Sequence, residues 1–192
     1  MPETAIRPEP RGTAFSLIRA TALDLAAHRD GEGQPPANWE MYDSLTAALK
    51  RWHAADCLRE DSLLLTEWLA CELIAYLYQQ LGQDRDRLEA WLRDHGDQVS
   101  QAQQHAHPAG PTTVEIMSVV AEDFTARPAG PGSQTRLLRI AAPYLLYLRE
   151  GQEVEDAREV ALPLALWAGQ QLAVLMGHDG ERIKCCTDTR TR

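Results

Sequence analysis

The sequence predicts an all-α protein, with about seven helices in a bundle around a central buried helix at residues 62–81. Three observations carry this. The stretch 62–81, SLLLTEWLACELIAYLYQQL, is apolar at most positions and contains no Gly or Pro. It shows no strand-like alternation and is too long for an ordinary strand, so it reads as a helix covered on nearly every side. Elsewhere apolar residues recur at helical spacing, as in Met41, Leu45, Ala48, Leu49 and Trp52. Finally, Gly- and Pro-rich segments at 29–38, around 108–111 and at 126–133 separate the periodic stretches.

In chain order, residues 1–12 carry three prolines and mixed charge and are expected to be a disordered tail without signal-peptide character. Thr13 caps the first expected helix, which runs to about His28 with Leu17 and Leu25 facing inward. Asn38 caps the second. The charged run Arg59-Glu60-Asp61 is the expected break before the central helix, and Gly82 its C-cap. Leu88, Trp91, Leu92 and His95 share the face of a shorter helix expected to end at Gly96. The polar segment that follows leads into a candidate sub-boundary at 105–113. Thr112 and Glu115 form a capping box for a helix whose inner face is Val114, Met117, Ala121 and Phe124. A strand is the minority reading there, because VEIMSVV is rich in β-branched residues.

Leu137, Ala141, Tyr144, Leu145 and Leu148 define the next face, with a kink or restart expected at Pro143 and a stop at Gly151. The last expected helix covers 156–176. Residues 177–192 read as a flexible C-terminal tail, leaving 13–176 as a single helical domain. The uncharged run 160–177 has a length at the lower limit for a membrane span and contains Pro163, Gly169, Gln170 and Gln171, so it is read as a core helix.

Composition narrows the function classes. Apolar content of 44% and charged content of 24% are ordinary for a folded soluble chain. A net charge of −9 disfavours general nucleic-acid binding, and neither a nucleic acid nor a membrane is expected as a partner. Arg outnumbers Lys by 17 to 2, which suggests a bacterial source. Cys57, Cys71, Cys185 and Cys186 form no CxxC, and reduced thiols in a cytoplasm are the expectation.

No phosphate-binding loop, dinucleotide fingerprint, nucleophile elbow or HExxH string is present, and no cofactor is implied. His53 and Cys57, four apart, could share a zinc with His105 and His107, but nothing in the sequence brings the two pairs together, so no metal site is expected. Asp24 and His28 read as a local helix-end pair. The anomaly is Glu67, on the same helical stripe as Leu63, Cys71, Ile74 and Tyr78; it requires an Arg partner, hydrogen bonds or a proton. Glu72 falls on the arc expected to meet water. Two functions stay open. One is a non-enzymatic protein–protein interaction or assembly module, regulatory in character, acting as a homodimer or with a dedicated protein partner. The other is a small-molecule binder or enzyme whose inter-helix pocket is lined by Glu67, Cys71 and Tyr78. A flat exposed apolar patch favours the first, and a pocket with convergent polar groups around Glu67 the second.

Overall fold

The computed structural model describes residues 7–28, 39–102, 110–125 and 132–190. They form eight α-helices and no strand: α1 (Pro10–His28), α2 (Trp39–Ala54), α3 (Leu58–Gln80), α4 (Arg85–Ala102), α5 (Gly110–Thr125), α6 (Gly132–Tyr147), α7 (Glu153–Leu175) and α8 (Gly180–Arg190). The central stretch is α3. It packs against α1, α2, α4, α5, α6 and α7, most extensively against α7, while α8 lies on α1. Leu65, Leu69, Leu73 and Ile74 of α3 meet Leu164, Leu172 and other α7 side chains in one continuous core.

Helix boundaries follow from capping chemistry that the sequence reading placed differently. The first helix starts at Pro10 rather than Thr13. Proline is preset for the first helical position, and the Glu9 carboxylate accepts the Arg11 and Gly12 N–H groups at 3.0 and 2.6 Å. Part of the expected disordered tail is therefore docked. Arg7 donates to Asp61 at 2.5 and 2.8 Å, and the Trp52 indole donates to the Pro8 carbonyl at 2.8 Å.

The break between α2 and α3 falls at residues 55–57, ahead of the charged run. Asp56 adopts the left-handed conformation, with φ 55°, and the Asp56 and Cys57 N–H groups return to the His53 and Trp52 carbonyls. This is the Schellman pattern with Asp in the place usually taken by Gly, which hides it from a search for glycines. Glu60 and Asp61 then occupy the first turn of α3, where the helix dipole favours carboxylates. Gly82 and Gly177 close α3 and α7 by the same motif, at φ 75° and 69°.

Gly96 does not end α4, and its bare backbone lets Val114 of α5 come close: a Cβ there would lie 3.3 Å from a Val114 methyl. The segment expected to start at Thr112 is helical from Gly110, so the strand reading fails. Pro143 lies inside a continuous α6, and Pro163 inside α7. The expected C-terminal tail forms α8, anchored by the buried Ile183 and Thr187. The run around 160–177 is core: Val160, Ala161, Leu164, Ala168 and Leu172 are all buried. Among the described residues, no single helix is long and apolar enough to cross a membrane. The candidate sub-boundary at 105–113 and the Asn38 cap lie wholly or mostly outside the described residues.

Candidate functional site

Glu67 sits on α3 facing α6 and is 5% exposed. Arg136 of α6 donates from Nε to Glu67 Oε1 at 3.0 Å, and a terminal guanidinium nitrogen lies equally close to the same oxygen. Burial pushes the Glu67 carboxyl above its ordinary range, against the attraction of Arg136. Cys71, one turn on, is half-buried. Its thiol is pushed up to about 12 by burial, so it is a thiol and not a thiolate nucleophile at neutral pH. Tyr78 is a further two turns along and meets Phe124 edge-to-face at 5.5 Å. Three residues thus share one side of α3, but the groove between α4 and α5 described below is not lined by them. Glu72, expected to meet water, is instead buried, because α3 is packed by other helices on that side too.

The sequence reading missed two further buried carboxylates. Asp61 accepts from Arg7 and from the Cys57 thiol, the latter at 3.1 Å. Asp156, 0% exposed, accepts the Arg149 backbone N–H at 2.7 Å and the Arg149 guanidinium at 2.5 Å. The guanidinium holds the Asp156 carboxyl below its ordinary range. A third buried polar link joins α6 to α3: Tyr144 donates to Ser62 Oγ at 2.5 Å, and Ser62 donates onward to the Leu58 carbonyl. Only the acidic character of each helix start could have flagged Asp61 and Asp156.

His53 is exposed and Cys57 bonds to Asp61, while His105 and His107 lie outside the described residues. No three His, Cys, Asp or Glu among the described residues are grouped to hold a metal ion. The Asp24–His28 pair is local, His28 Nδ1 lying 2.7 Å from the Asp24 carbonyl and 3.2 Å from its carboxylate. Cys185 is exposed on α8 and Cys186 half-buried. Trp52 is core, whereas Trp68 carries the Arg11 guanidinium 5.2 Å from its ring. Trp91 and Trp167 both contact His95, with ring centroids 4.7 and 4.4 Å apart.

Two surface features stand out. On α6, Leu138, Ala142, Leu145 and Leu146 are exposed at i, i+4, i+7 and i+8, an arc of roughly 100° running about 12 Å along the helix. Leu138 is 74% exposed, Leu145 37% and Leu146 86%. Leu145 was expected to face inward; the packed face of α6 is centred on Ile140 and Tyr144 and leaves it at the rim. Phe124, also expected inward, is likewise exposed at the end of α5. Between α4 and α5 runs a groove of about 880 Å³. Its floor is apolar, with Leu88, Leu92, Gly96 and Val99 on one wall and Val114 and Ala121 on the other. Arg139 of α6 donates to Glu122 and Asp123 of α5, and Glu122 is also on the groove rim, so stripe and groove flank the same helix.

The described residues define a helical bundle whose helices pack around α3. Comparison with models of protein families, with curated proteins and with solved structures returns no match.

Proposed function

We propose that this chain is a non-enzymatic assembly module that pairs with a protein partner, a second copy in the first instance, through the outer face of α6. The observation that carries this is the stripe Leu138, Ala142, Leu145 and Leu146. Scattered exposed leucines are ordinary, but four apolar side chains in register on one helix face form a contiguous patch of the kind that marks interaction sites. The α6 sequence adds a second support. It is the one helix among the eight with no acidic residue, in a chain of net charge −9. The competing small-molecule reading has less in its favour. Glu67 is already engaged by Arg136, and Cys71 is a poor nucleophile.

The stripe alone makes a modest interface. At the exposures above it amounts to about two leucine side chains, worth roughly 3–6 kcal/mol when fully buried. That barely meets the low end of the roughly 4–15 kcal/mol that association costs in lost freedom. A partner must therefore offer a shaped apolar surface and not a flat one.

Sedimentation at micromolar concentration in reducing buffer is the test. The expected result is a species heavier than 21.4 kDa that returns to 21.4 kDa in the Leu138→Asp/Leu146→Asp variant with its thermal melt unchanged. A monomer at every concentration, or a heavier species indifferent to the two substitutions, overturns the proposal.

A further inference from the structure

We infer that Arg7 and Pro8 form a reversible strap, which fills in cis a guanidinium-binding site built by Asp61 and Trp52 at the α2–α3 junction and opens without unfolding the bundle. This does not depend on the assembly function proposed above.

The construction of the site is the first reason. Asp61 is 1% exposed, yet both of its oxygens are held by a side chain that is itself 54% exposed. Arg7 Nε donates to Oδ2 at 2.8 Å and a terminal nitrogen donates to Oδ1 at 2.5 Å, the two-pronged pairing that a planar guanidinium makes with a carboxylate. Among the described residues, Arg7 is the only cation bonded to Asp61; its other partner is the Cys57 thiol, which donates to Oδ2 at 3.1 Å. One residue on, the Pro8 carbonyl accepts the indole N–H of Trp52, a side chain with no exposed surface. The left-handed turn at Asp56 brings the two receptors together, Trp52 from the end of α2 and Asp61 from the first turn of α3. A buried carboxylate and a buried donor thus hold a guanidinium and the carbonyl of the residue after it.

Weak attachment is the second. None of residues 7–9 is buried. Opening forfeits two polar anchors and little apolar contact, and segments of that kind open far more easily than the whole fold. The ion pair meets water on its Arg7 side, where salt screens it. Pro8 and Glu9 also line a cleft of about 460 Å³ that faces Ala47, Ala48 and Arg51 of α2, which gives the strap room to move.

The hinge is the third. Helix α1 holds its first turn without the strap: the Glu9 carboxylate accepts the Arg11 and Gly12 N–H groups, and the Glu9 carbonyl accepts the Thr13 N–H at 2.9 Å. All of these bonds lie after Pro8, so the strap swings from the start of α1 without unravelling it. Opening leaves Asp61 at the N-terminal turn of α3, where the helix dipole favours a carboxylate.

The experiment follows hydrogen exchange of the Trp52 indole N–H by NMR in the full chain. The indole of Trp39, 69% exposed, corrects for the intrinsic exchange rate. In wild type, Trp52 is expected to exchange faster than the core amides of α3 such as Leu69, and faster again as salt is raised from about 0.1 M to about 1 M. Arg7→Ala is expected to quicken Trp52 exchange at least about tenfold at low salt, to abolish its salt dependence and to leave the thermal melt unchanged. Arg7→Lys keeps the charge but not the two-pronged pairing and is expected to fall between the two. Trp52 exchange in Arg7→Ala equal to wild type overturns the strap, because Pro8 is then held without Arg7. Trp52 exchange that tracks Leu69 overturns it as well, because opening is then global unfolding. Full protection in Arg7→Lys overturns the guanidinium assignment.

Discussion

The guanidinium of Arg136 reaches across from α6 to hold one carboxylate oxygen of Glu67 on α3 at 3.0 Å. The pair joins the central helix to the helix that carries the exposed stripe, beside the second buried link between them, from Tyr144 to Ser62. Sixty-nine residues separate the two partners in the chain, and neither position is explained by its immediate neighbours. Replacing Glu67 by Ala strands the Arg136 charge in a largely buried site. The expected cost is roughly 3–5 kcal/mol. Glu67→Gln keeps an acceptor for the guanidinium and should cost less. The carboxyl is raised by burial, so its contribution to stability is full below its unfolded pKa and declines as pH rises through the folded one. Wild type therefore gains on Glu67→Gln as the pH is lowered through the carboxyl range. Denaturant melts of the three proteins at pH 7 and pH 4.5 check both statements; losses within about 0.5 kcal/mol for both variants would show that the pair holds nothing in place.

Asp156 carries the opposite sign. Its carboxyl is lowered, first by the Arg149 side chain and further by the Arg149 backbone N–H, which together outweigh its burial. A lowered folded pKa means stability that is present above the unfolded pKa and lost as pH falls through the folded one. Asp156→Asn is expected to melt at lower denaturant than wild type at neutral pH, with the gap closing as the pH approaches 3. A gap of constant size from pH 7 to pH 3 contradicts the assignment.

The apolar run at 62–81 and the helical spacing of the flanking segments were enough to read the helical bundle and its centre, because burying a helix on nearly every side leaves a mark at most positions. Glu67 was legible for the same reason: a carboxylate on that stripe demands a partner, and Arg is the residue best shaped to supply one. The helix ends were less so. Glu9 and Asp56 do the work usually done by Ser or Thr and by Gly, and their roles depend on backbone geometry that single residues do not announce. The outer stripe of α6 was hidden by excess. Leu137, Leu138, Leu145, Leu146 and Leu148 offer apolar faces all round, and only the position of α6 against α3 and α5 decides which leucines remain uncovered. The groove needed tertiary structure outright, since its walls come from two helices.

Gly169 marks a close approach of α7 to α1. A Cβ at this position would lie 2.4 Å from Thr21 Cβ and 3.1 Å from the Ile18 carbonyl, so α1 packs on α7 only because Gly is there. Gly169→Ala is expected to cost about 1–3 kcal/mol by overpacking. The same site contains a second testable weakness. Thr21 Oγ1 is buried with no hydrogen-bond partner among the described residues. Thr21→Val keeps the shape and removes that hydroxyl, and is expected to raise stability by about 1 kcal/mol. Thermal and denaturant melts of the two single variants read both effects; a neutral Gly169→Ala means that the two helices separate at little cost.

His95 is enclosed by two indoles. Trp91, one turn earlier on α4, stacks on the ring at 15°, and Trp167 of α7 meets it edge-on at 87°. Its Nε2 is buried with no hydrogen-bond partner among the described residues. Burial lowers the imidazole below its ordinary pKa, because the charged ring would lose water and gain no acceptor at that nitrogen. The sign follows directly. A histidine whose folded pKa is depressed contributes stability above its unfolded value of about 6.5 and loses it as pH falls through the folded value. His95→Phe preserves an aromatic ring between the indoles and cannot titrate. Wild type should therefore lose stability relative to His95→Phe as the pH falls below about 6.5, while the difference stays flat above pH 7. Titration of the ring followed by NMR supplies the second readout, with a midpoint expected below 6.5. A His95 midpoint at or above 6.5, together with parallel stability curves for the two proteins, would mean that the ring is solvated and that the indoles do not enclose it.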